Sequence, residues 1–99
     1  MFTTKEVLSI LKSRRKYLIS EFGFNNIFLF GSYAVGKQKE ESDIDLLIEI
    51  DKAKKTYGNL LKAKSYLNNN LNKEVEIIFS DSCNPIIGKN IRENLIKIE

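Results

Sequence analysis

The sequence predicts an α/β domain in which a small sheet, open to mixed strand polarity, is covered by helices. Apolar residues recur at helical spacing in the first quarter of the chain and again in its middle. Short apolar or alternating runs fall between these stretches, and a Gly-Ser pair closes the first of them. The 99 residues suit one compact unit, read here as a single domain over 1–99.

Phe2-Thr3-Thr4-Lys5-Glu6-Val7 opens the first helix, with Thr3 as N-cap, Glu6 completing a capping box and Phe2 stapling onto Val7. Val7, Leu11, Leu18 and Phe22 form its apolar stripe, and Gly23 stops it. Asn26 to Phe30 is a short apolar and aromatic run ending at Gly31-Ser32, which predicts a central strand buried on both faces. Ser32 starts a short helix that Gly36 ends, and a polar loop leads to the next strand. From Asp43 to Ile50, alternation puts Asp43, Asp45, Leu47 and Glu49 on one face and Ile44, Leu46, Ile48 and Ile50 on the other.

Thr56 to Asn70 reads as a helix with Leu60, Leu61, Ala63, Tyr66 and Leu67 as its apolar side, fraying into Asn68-Asn69-Asn70 as a turn. Glu74 to Phe79 makes a third strand, with Glu74 and Glu76 on one face and Val75, Ile77 and Phe79 on the other. Asn84-Pro85 opens a last helix carrying Ile87, Ile91, Leu95 and Ile98. The middle helix allows a parallel crossover between the second and third strands.

Composition narrows the chemistry. With 42% hydrophobic and 29% charged residues, the chain is globular rather than disordered. It has no histidine, which removes Ser-His triads, Cys-His pairs and His-ligated zinc, so a metal here must be held by oxygens. The lone Cys83 cannot form an intrachain disulfide and fits a reducing compartment. No apolar run approaches the roughly 20 residues of a membrane helix, and no signal-peptide stretch opens the chain, so a cytoplasmic location without membrane contact is expected. Sixteen Lys and Arg against thirteen Asp and Glu give only +3, and no direct DNA binding is expected from it. The basic clusters at Lys12, Arg14, Arg15 and Lys16 and at Lys52, Lys54 and Lys55 read as solvated faces. Ten aromatic residues in so small a chain leave both a homo-oligomer and a hetero-complex open.

The stretch from Gly31 to Leu46 holds two halves of one site. Gly31 ends a buried strand, and Ser32 begins a short helix whose backbone N–H groups suit a phosphate. Asp43 and Asp45, at i and i+2, lie roughly 6.6 Å apart along a strand with carboxylates able to converge. Two carboxylates about 4 Å apart repel by roughly 4 kcal/mol at an effective dielectric of about 20, so the pair needs a shared proton or a cation. With oxygen ligands beside a phosphate seat, Mg²⁺ is the natural cation. Phosphoryl-type transfer asks mainly for such positioned charge, and a third carboxylate would complete the set. Glu76 is the candidate, and Glu74 shares its face by periodicity.

On these residues, Gly31-Ser32, Gly36 and Ser42-Asp43-Ile44-Asp45-Leu46, the chain resembles the minimal nucleotidyltransferase (MNT) family of the polymerase-beta-like superfamily. The resemblance runs from the first helix to Asn84-Pro85-Ile86-Ile87. It implies a polymerase-beta-like fold, metal-binding carboxylates at Asp43, Asp45 and Glu76, and nucleotide contacts at Gly31, Ser32 and Ser42. It further implies Mg²⁺ as cofactor, ATP as substrate and a HEPN-type toxin as partner. Active members of the family are antitoxins that silence such a ribonuclease by moving AMP from ATP to a tyrosine. Two departures stand out: Val35 occupies a position commonly arginine, and Glu76 is one methylene longer than the usual aspartate. The rival expectation is therefore an antitoxin with weak or no turnover that neutralises its partner by contact. A third reading, transfer to a small molecule or an RNA end, also requires a partner subunit to hold the acceptor.

Overall fold

The computed structural model describes residues 2–80 and 95–99. Helix α1 spans Thr4–Phe22, strand β1 Phe24–Phe30, the short helix α2 Ser32–Val35 and strand β2 Ile44–Ile50. A 3-10 turn at Lys52–Lys54 leads into α3, Tyr57–Leu71, followed by β3, Val75–Phe79, and β4, Ile96–Lys97. The start of α1 forms as its sequence dictates: Thr3 Oγ1 accepts from Glu6 N at 3.1 Å, and Thr3 N donates to Glu6 Oε1 at 3.0 Å. Gly23 ends it in the left-handed region at φ 70°.

The sheet is mixed, in the order β3-β2-β1-β4. β1 runs antiparallel to both β2 and β4, whereas β2 and β3 are parallel, joined by α3 as crossover. One face carries Ile27, Leu29, Ile44, Leu46, Ile48 and Val75 into the core with Val7, Leu11 and Leu18 of α1 and Ala63, Leu67 and Leu71 of α3. Leu47, of opposite parity on β2, is buried but stands outside that cluster. Tyr17, Phe22, Phe24 and Tyr66 extend the core as packed rings, with centroids 4.7–5.9 Å apart.

Five expectations are corrected. β1 begins at Phe24, two residues early, because a register irregularity between Phe24 and Asn26 lets Phe24 and Ile27 both enter the core despite odd spacing. It is central but not buried on both faces: Ile27 and Leu29 are covered, Phe28 and Phe30 only partly. The asparagine run stays helical to Leu71, which is fully buried, and Asn72 makes the turn at φ 50°. Consequently the buried residues of α3 are Ala63, Leu67 and Leu71, with Tyr66 packed against the core as expected, whereas Leu61 is 49% exposed. Finally, Leu95 to Ile98 is not helical: Ile96–Lys97 pairs with β1, Ile98 N donates to Ile27 O at 2.8 Å and Ile98 is buried. The remainder of the expected last helix, with Asn84, Pro85, Ile87 and Ile91, and Cys83 lie outside the described residues. Among the described residues no helix is long and apolar enough to cross a membrane.

Candidate active site

Strand pairing brings the acidic residues together. Asp45 stands opposite Phe30 on β1 and opposite Glu76 on β3, so the two carboxylates share one face on neighbouring strands. Asp43 directly precedes β2, and Ile44 N donates to Glu74 O at 3.0 Å, which locks the start of both strands. Glu76 is exposed and Asp45 half-buried.

Gly31 closes the other side. Its backbone, φ 77° and ψ −155°, lies in a region open essentially to glycine alone. A side chain there would also collide with the Asp45 carboxylate, its Cβ lying only 3.2 Å from Asp45 Cγ. The glycine that begins this turn is thus the residue against which Asp45, the candidate metal ligand, rests. Ser32 then starts α2, and Gly36 ends it in the left-handed region. Tyr33, buried in the core, anchors this turn, and its carbonyl accepts from Thr4 Oγ1 at 2.5 Å. The loop to β2 is tied down from within and from the turn before β3: Ser42 Oγ accepts from Lys39 N at 2.9 Å, Ser42 N donates to Lys39 O at 3.0 Å, and Lys73 Nζ donates to Glu40 O. Ser42, a candidate nucleotide contact, is therefore engaged in shaping the loop. Val35 is 45% exposed at the end of α2.

Electrostatics mark the same spot. Burial first, and then the neighbouring charges of Glu76 and Asp43, together push the Asp45 carboxyl up to about 6. Three mutually repelling carboxylates do not converge without a cation, and among the described residues no three acid, cysteine or histidine side chains already enclose a metal position. An all-oxygen donor set beside a half-buried, reluctantly ionised aspartate fits a hard divalent cation.

Sequence reasoning missed Lys64. On α3, its Nζ pairs with Glu74 Oε1 at 2.8 Å, and Asn68, one turn on, accepts from Val75 N at 2.8 Å. The signal was the placement of the α3 stripe: with Ala63, Leu67 and Leu71 inward, Lys64 and Asn68 fall on its flank.

A mixed sheet with an Asp-x-Asp strand set against a Gly-Ser turn defines a class of protein whose donor set suits phosphates and a divalent cation side by side. A family model for polymerase beta nucleotidyltransferase domains matches residues 12–98, and the chain belongs to that family. A Thermococcus cleftensis relative named protein adenylyltransferase MntA is 30% identical over 98 residues, covering 99% of this chain and 98% of its own length. A Methanocaldococcus jannaschii relative, named as a candidate protein adenylyltransferase, is 38% identical over 100 residues, covering 99% of this chain and all of its own length. Among solved structures, one described as a candidate minimal nucleotidyltransferase superposes with a TM-score of 0.72 at 26% identity, covering 90% of this chain and 93% of that one. An MNT antitoxin bound to a tri-AMPylated Shewanella oneidensis HEPN toxin superposes at 0.66 with 16% identity, over 93% of this chain and 71% of that one, a likeness of fold.

Proposed function

We propose that this chain, as one minimal nucleotidyltransferase domain, is an Mg²⁺-dependent protein adenylyltransferase that acts as the antitoxin of a HEPN-type toxin. It moves AMP from ATP to a tyrosine hydroxyl of that partner. The observation that carries this reading is the close approach of Gly31 and Asp45, which sets a phosphate-binding turn against the carboxylate face. Relatives covering the whole chain are named for this activity, which supports the same reading.

Asp43, Asp45 and Glu76 would hold the metal, and Gly31 and Ser32 would hold the phosphates. A bound Mg²⁺ supplies the positive charge that neutralises the phosphates and the carboxylates together. The tyrosine oxygen attacks the α-phosphorus, a P–O bond forms, the bond to the β-phosphate breaks, and pyrophosphate leaves. Glu76, exposed at the end of the carboxylate row, is open to the partner and takes the hydroxyl proton.

Intact mass spectrometry of the HEPN-type partner, incubated with this chain and Mg-ATP, tests the proposal. A gain of whole AMP units is expected with the natural chain and none with Asp43→Ala, Asp45→Ala. A stable complex whose toxin is silenced without any mass gain would instead establish an antitoxin acting by contact, and would direct reversion to Val35 and Glu76.

A further inference from the structure

By strand parity Glu74 and Glu76 point to the same face, so either could be the third acid of the site. The structure separates them. Glu76 pairs in register with Asp45, whereas Glu74 is held by Lys64 at 2.8 Å from the flank of α3. One turn along that flank, Asn68 accepts from Val75 N, so the helix grips both the side chain of Glu74 and the backbone that follows it. Lys64 and Glu74 lie at the surface, with side chains 39% and 56% exposed, and such a pair contributes little to stability. The hydrogen bond and charge of Glu74, and after them the charges of Glu76 and Asp43, raise the affinity of the ammonium for its proton. Its consequence is where the negative charge goes.

We propose that Lys64 is a positioning residue of the carboxylate site: it ties Glu74 back, so that Glu76 is the acid of β3 presented to a divalent cation, and it limits the negative charge that the cation meets. This rests on the metal-site reading of Asp43, Asp45 and Glu76. Without Lys64, four carboxylates would crowd the ends of β2 and β3, and Glu74 would be released to compete as a ligand. The site would bind divalent cations more tightly and in a less defined geometry.

The test is Mn²⁺ affinity of the full chain, measured by electron paramagnetic resonance without nucleotide, for Lys64→Met, Glu74→Gln, the double variant, Glu76→Gln and Asp45→Asn. Lys64→Met is expected to bind Mn²⁺ at least threefold more tightly, and the double variant to return to within twofold of the natural chain. A Lys64→Met variant with unchanged or weaker affinity overturns the proposal. So does a double variant as weak as Glu76→Gln, which would make Glu74 the ligand, or one as tight as Lys64→Met, which would show charge acting without Glu74. Asp45→Asn separates the two levels: if it binds Mn²⁺ as the natural chain does, the metal site itself is misplaced and the role of Lys64 falls with it.

Discussion

Asp45 sits half-buried between Phe30 and Glu76, where its carboxyl is pushed up to about 6 by burial first and by the acids beside it second. The folded protein thus holds this proton more tightly than the unfolded chain, whose aspartates titrate near about 3.9. Native binding of more protons means that stability falls as pH rises through that interval, and stays lower above it. Asp45→Asn, without metal, should therefore gain about 1 kcal/mol near pH 8, a figure discounted for partial solvation. The gain should vanish below about pH 4, where the natural residue is protonated in both states. Urea denaturation at the two pH values checks it, and a variant that is no more stable near pH 8 would refute the electrostatic account. Added Mg²⁺ should stabilise the natural chain and leave Asp45→Asn unmoved, because a ligand stabilises only the state that binds it.

At the scale of elements, side chains that satisfy the ends of their neighbours hold the site in place. Lys54 Nζ donates to Ser20 O at 3.3 Å and Glu21 O at 3.2 Å, while Asn59 Nδ2 donates to Phe22 O at 3.0 Å, so the last carbonyls of α1 are met from the turn and helix that follow β2. Asn68 does the same for β3 by accepting from Val75 N. Asn68→Ala leaves that part-buried amide without its acceptor and should cost about 1–2 kcal/mol. Amide hydrogen exchange at Val75 should quicken, and Asn68→Asp, which keeps the acceptor, should recover most of the protection. Equal exchange in Asn68→Ala would show that the contact does not secure the strand. A run of three asparagines favours turns by intrinsic preference, and here Leu71 overrides it, since burying that side chain requires another helical turn. The cap of α1 was legible for the opposite reason: every partner in it lies within three residues.

Across the whole molecule, α1, α3 and one face of the sheet share a single core, in which Leu18 is fully buried. Leu18→Ala should cost about 2–4 kcal/mol through lost burial and the cavity left behind. With one core, far-ultraviolet and tyrosine signals should shift together and keep the same denaturant slope; separate transitions would show two units. From the sequence alone came the α/β class, the caps of α1, the Gly31-Ser32 turn, the Asp43 and Asp45 alternation and the family resemblance, because each is written in residues near one another along the chain. Tertiary structure decided the polarity of the sheet, the fourth strand at Ile96–Lys97 and the bulge that turns Phe24 inward. It also decided which residues meet across strands: Asp45 against Gly31 and Glu76, and Lys64 against Glu74. Such meetings depend on register and helix rotation, which follow from the packing of the core as a whole and from no local pattern of residues.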